Sequence, residues 1–121
     1  MRNFIMNSVL VAVLSLGGLY ALPSYAAAQN ATGNGGWISL GIPNRIHIGT
    51  DGSFYLQGAT QGSCSSVVPT YFRVDMSALH WKEFYSWVLM MSAQKQEVAC
   101  VVDSGCGTAE VWVHYCTGPL Q

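Results

Sequence analysis

Only one stretch of this chain repeats its apolar residues at helical spacing, and alternating segments flank it on both sides. Residues 44–76 alternate in short runs, residues 78–95 carry the helical period, and Val-rich alternation returns over 97–103 and 110–116. Such a pattern predicts a mostly β domain with one helix. Ile46 and Ile48 alternate with Arg45 and His47, and beyond Asp51-Gly52 the residues Phe54 and Leu56 alternate with Tyr55 and Gln57. A two-residue turn would set Ile48 against Tyr55. A three-residue loop, Thr50-Asp51-Gly52, instead sets Ile48 against Phe54 and Ile46 against Leu56. Only the second collects the apolar side chains on one face, and it puts Gly52 at the left-handed position of the turn. The other face then carries His47 opposite Tyr55 and Arg45 opposite Gln57.

The third strand, 70–76, turns Phe72, Val74 and Met76 to one side and Tyr71, Arg73 and Asp75 to the other. Ser77 is the expected N-cap of the helix. Along that helix Trp81, Phe84, Tyr85, Val88 and Met91 make one apolar stripe, with Trp87 and Leu89 at its flanks and Leu79 and Met90 on the polar side. The order strand-strand-strand-helix-strand-strand is that of an OB-like five-stranded small barrel, in which residues 37–41 would extend a long first strand. The alternative is an open α+β sheet with one packed helix, which buries the same stripe.

Residues 1–26 read as a secretory signal peptide. Arg2 is the positive start, 9–22 the apolar run, Pro23 the break, and Ser24-Tyr25-Ala26 the small-residue cleavage site. Ser15, Gly17 and Gly18 interrupt the run, which is short for a membrane span of about 20 residues. The chain is therefore expected to be secreted or periplasmic, with no membrane attachment after cleavage. Residues 27–43 are expected as a Gly-rich flexible lead and the start of the first strand, 44–116 as a single domain, and 117–121 as an irregular tail.

So small a domain has little core of its own, and export makes disulfides available. Four cysteines allow three pairings. The favoured one joins Cys64 to Cys106, both in Gly/Ser-rich loops, and Cys100 to Cys116, on neighbouring strands. The second choice is Cys64–Cys116 with Cys100–Cys106. If Val102 faces Val111, Cys100 lies too far from Cys116 to bridge, whereas a register pairing Asp103 with Val113 sets the two cysteines opposite. No C-x-x-C spacing exists to suggest zinc or redox chemistry.

Charged residues are 9% of the chain and the formal net charge is −1. A disordered tail, a nucleic-acid binder and a polybasic membrane anchor each need more charge or a basic excess. Val101-Val102-Asp103-Ser104-Gly105 echoes the retroviral-type aspartic proteases, but that family places most of its fold after the triplet. His47, His80 and His114 share no metal-ligand spacing, and no catalytic constellation can be assembled. The chain is expected to be no enzyme and to need no metal or cofactor. The polar sheet face, with His47, Tyr55, Gln57, Tyr71, Arg73 and Asp75, combines aromatic rings with planar polar groups. Rings stack on the C–H faces of sugars while the polar groups bond hydroxyls, so these six are the candidate ligand-binding residues. Leu79, Trp87 and Met90 exceed what one buried stripe needs and are the candidate interface residues.

Several of these features together resemble the B subunits of AB5 toxins, in particular the subtilase-cytotoxin B type. They are the hairpin around Asp51-Gly52-Ser53-Phe54-Tyr55, Cys64, the strand Tyr71-Phe72-Arg73-Val74-Asp75, the helix segment Lys82-Glu83-Phe84-Tyr85-Ser86, and Gly105-Cys106. The resemblance spans about residues 44–116. It implies an OB-like barrel, a ring of subunits with helices lining its centre, and glycan binding on the outer face. The expected function is that of an exported, disulfide-stabilised, non-enzymatic binding module, glycan-binding and homo-oligomeric. The alternative is a small secreted structural or inhibitory protein acting by protein contact.

Overall fold

A computed structural model describes residues 30–119; the expected signal peptide, 1–26, and the last two residues lie outside the described residues. The elements are β1 (Trp37–Gly41), β2 (Pro43–Ile48), β3 (Ser53–Gly58), β4 (Tyr71–Asp75), α1 (Trp81–Ala93), β5 (Val98–Ser104) and β6 (Glu110–Thr117). They form an open six-stranded mixed sheet in the order β1-β5-β6-β4-β3-β2. The protein is thus mostly β with one packed helix, as the open α+β alternative describes. Six strands appear where five were expected. Gly41 takes a left-handed φ of 71° and the chain bends there, so the expected long first strand divides. Its first half pairs with β5 and its second with β3.

The β2–β3 hairpin has the register read from its alternation. Ile48 faces Phe54, His47 faces Tyr55, Ile46 faces Leu56 and Arg45 faces Gln57. Gly52 supplies φ 79° in the loop, a conformation that a side chain disfavours. β4 pairs antiparallel with β3, setting Phe54 against Val74 and Tyr55 against Arg73. β4 also runs parallel to β6, with Phe72 beside Val111 and Arg73 beside Trp112. A parallel pair needs a long crossover, and α1 with β5 supplies it.

The core collects the inward residues of this sheet. Ile38, Leu40, Phe54, Leu56, Phe72, Val98, Val102 and Val111 are buried, and α1 adds Val88 and Met91. Trp81, Phe84, Tyr85 and Trp87 pack against them half-buried. Ile48, expected on the apolar face, is 66% exposed at the far end of the hairpin. The helix also starts later than Ser77 suggested. The Asp75 carboxylate accepts the Ser77 N–H at 2.8 Å, and residues 77–80 form turns before Trp81. His80 sits at the N-cap in a left-handed conformation and makes no side-chain cap. Leu79 consequently lies outside the helix and is 84% exposed.

Disulfides join Cys64 to Cys106 and Cys100 to Cys116. The β5–β6 register sets Cys100 opposite Cys116, but Val102, not Asp103, faces Val113. A bulge between Val101 and Val102 absorbs the one-residue difference. Val98 to Val102 are all buried, so both faces of β5 are covered along this stretch. The segment from Asn30 to Gly36, expected as a flexible lead, is tied down by backbone hydrogen bonds. Ala31 exchanges them with Ser63 and Ser65, and Gly35 and Gly36 exchange them with Val102.

One glycine marks a close approach. A Cβ at Gly58 would collide with the Leu40 carbonyl oxygen of β1, which is backbone and cannot swing aside. Gly58→Ala should therefore cost about 2–3 kcal/mol, the upper part of the overpacking range. Urea unfolding would show it as a lower midpoint at unchanged slope. A midpoint equal to that of the parent would mean that β1 and β3 do not touch there.

Candidate ligand-binding face

On the side of the sheet away from α1, the pairings place His47, Tyr55, Arg73 and Trp112 in one row across β2, β3, β4 and β6. The next row holds Tyr71 and Glu110 side by side. Arg73 is the centre of the arrangement. Its Nε donates to Ser53 Oγ at 3.0 Å, its Nη2 to Asp51 Oδ2 at 2.8 Å, and its Nη1 to Glu110 Oε2 at 3.4 Å. The guanidinium lies 4.1 Å from the Trp112 ring centroid and 5.4 Å from that of Tyr55. Cation–π attraction and three polar bonds thus hold one side chain, which is only 21% exposed.

Around this centre the rings support one another. Tyr71 meets His47 at 5.6 Å and Tyr55 at 5.7 Å, both edge to face. His47 Nε2 and Gln57 Oε1 are 3.2 Å apart, and the Gln57 amide donates to the Thr70 carbonyl. His47, Ile48, Gly49, Tyr55, Tyr71 and Glu110 line an open concavity of about 230 Å³. Gly49 leaves room for this, since a Cβ there would press on the Asp51 carboxylate and the Tyr55 ring.

The Tyr55 hydroxyl donates to Asp51 Oδ2. That bond is the largest cause holding the Asp51 carboxyl below its ordinary 3.8; the Ser53 N–H and Arg73 act in the same direction, and burial opposes them. The same bond, with some desolvation, raises the Tyr55 phenol. A carboxyl lowered by folding stabilises the fold at pH above its unfolded value and loses that contribution as pH falls below about 3.8. Asp51→Asn should therefore flatten part of the acid limb of stability below about pH 4 and leave the slope near neutrality unchanged. Asp75, lowered chiefly by its hydrogen bonds to Ser77, retains its own share. Urea midpoints between about pH 2 and pH 7 check this, and parallel acid limbs for parent and variant would contradict it.

Five of the six residues expected on this face, His47, Tyr55, Gln57, Tyr71 and Arg73, come together. Asp75 stands apart. Its carboxylate is taken up by Ser77, and it lines a larger groove of about 620 Å³ with Leu79, Trp81, Asp103 and Trp112. Three members were not anticipated: Trp112, Asp51 and Glu110. Trp112 stands between Val111 and Val113, so the alternation of β6 does point it outward. Its place beside Arg73 follows from the parallel β4–β6 pairing, which carries no local signal.

Of the expected interface residues, Leu79 and Met90 are exposed, as is Leu89. Trp87 is half-buried, 5.9 Å from Phe84 and packed against the core, so its ring serves the fold first. Asp103 and Ser104 end β5, and Gly105 turns the chain at φ 86°. Among the described residues, no group of three His, Cys, Asp or Glu side chains is placed to hold a metal ion. No helix there is long and apolar enough to cross a membrane. Comparison with family models, with curated proteins and with solved structures finds no match.

Proposed function

We propose that this chain is an exported, non-enzymatic binding module whose β2–β3–β4–β6 face takes glycans. The observation that carries the reading is the clustering of Tyr55 and Trp112 against one fixed guanidinium, with Tyr71 beside Tyr55 at an open concavity and two carboxylates close by. Rings present faces for the C–H side of a sugar, and the carboxylates accept its hydroxyls. The two disulfides fit an oxidising compartment and so support export.

The strand order supports an OB-like reading as well. β1 and β2 are separated by Ile42 alone and bend at Gly41. Taken as two halves of one long strand, they put the same strand at both ends of the order β1-β5-β6-β4-β3-β2. A single helix then lies between the third and fourth strands, which agrees with a partly open barrel and with the toxin-B resemblance.

A glycan array probed with the purified exported protein tests the function. Binding should fall about tenfold in Tyr71→Ala, which loses a ring lining the concavity, and in Trp112→Ala, which loses the ring that holds Arg73 in place, while far-UV circular dichroism stays that of the parent. Unchanged binding in both variants would remove this face from the function.

Exposed Leu89 and Met90 on α1, with Leu79 before it, favour a second reading, in which the module associates through this helix with its own kind or with another protein. Light scattering after gel filtration would give a mass of several chains. A monomeric mass would rule out self-association through those residues.

A further inference from the structure

We infer that the ligand of this face is a neutral glycan, and that Arg73 positions the site without serving as an anion receptor. The inference rests on the glycan reading above. Arg73 would be the obvious partner for a sialic acid carboxylate or a sulfate ester, because a guanidinium binds such groups in a fork. Here the fork is already engaged: Nη1 points to Glu110, Nη2 to Asp51 and Nε to Ser53, and the plane is held beside Trp112 and Tyr55. An incoming anion would have to displace two carboxylates from a half-buried cation.

The surrounding charge points the same way. The charged side chain lining the concavity is that of Glu110. Asp51 stands beside Arg73. Arg45 projects on the same face, opposite Gln57, but is not among the residues lining the concavity. Two carboxylates, Asp51 and Glu110, thus stand against the one guanidinium of Arg73, and like charges brought together at an interface are unfavourable. The Asp51 and Glu110 side chains are both more than a third exposed, so each keeps acceptor oxygens for a ligand. Carboxylate oxygens accept and cannot donate. They suit the hydroxyl donors of a neutral pyranose lying against Tyr71 and Tyr55 in the concavity, and they repel a glycan acid.

Matched pairs of oligosaccharides, each neutral and in its sialylated or sulfated form, test this against the exported protein. Neutral members should bind at least about tenfold tighter, and raising NaCl from about 0.05 to about 0.5 M should change that binding less than about twofold. Glu110→Gln should weaken the neutral members, which lose a charged acceptor, and narrow the gap to the acidic ones. Preference for the acidic members, lost at high salt or in Arg45→Ala, would overturn the inference while leaving glycan binding in place. A similar affinity for both forms would also overturn it. No binding to any glycan would overturn both this inference and the reading beneath it.

Discussion

Replacing Cys64 and Cys106 together by alanine should lower the unfolding free energy by about 4 kcal/mol. The bridge closes a loop with a sequence separation of 42, and the chain-entropy cost of leaving such a loop open reaches that size. Cys100–Cys116, with a separation of 16, should cost about 3 kcal/mol on the same grounds. A domain of about 90 residues has only about 5–13 kcal/mol in all, so either loss is a large fraction of the total. The longer bridge also organises more structure. Cys64 is buried and forms a β-bridge to Ala31, while the Cys106 N–H donates to the Asn34 side chain. Its removal should therefore also free the N-terminal segment, read as rapid amide exchange at Gly35 and Ala31. Urea unfolding of the two double variants gives the ranking. A larger loss for the shorter bridge would mean that packing around buried Cys100, and not loop closure, sets the contribution.

Phe54→Ala should be comparably severe, at about 3–5 kcal/mol. Phe54 is fully buried, and its ring centroid lies 5.6 Å from Tyr85, 6.0 Å from Phe84 and 6.4 Å from Trp81. This side chain touches the hairpin and the helix at once, so truncation leaves a cavity that neither can fill by moving alone. Leu79→Ala is the control: that side chain is almost wholly exposed, and its loss should stay within about 0.5 kcal/mol. Equal effects from the two substitutions would mean that α1 does not dock on β3 through Phe54.

The candidate face was legible in part, and the residues show why. Tyr55, His47, Arg73 and Tyr71 alternate with inward residues inside single strands, so their side of the sheet follows from a period of two. Asp75 obeys the same alternation, yet Ser77, two residues on, takes its carboxylate for a turn. The role of Arg73 was not legible either. Alternation presents it only as one polar group of the outer face, but Asp51 from the hairpin loop and Glu110 from β6 occupy it. From the sequence Asp51 is a turn residue, and its carboxylate also reaches Tyr55 and Arg73.

What the sequence determined by itself was local or covalent in character. The β2–β3 register followed from alternation and the demand for a left-handed glycine at position 52. The single helix followed from its period, while loop composition and strand adjacency favoured the cysteine pairing that forms over the Cys64–Cys116 and Cys100–Cys106 alternative. Only the tertiary structure decided the division of the first strand at Gly41, the register shift between β5 and β6, and the parallel seating of β6 against β4. Each depends on partners far apart in the chain, whose pairing energy leaves no periodic mark on either segment. That last pairing brings Trp112 and Glu110 to Arg73, and with them the chemistry of the proposed glycan face.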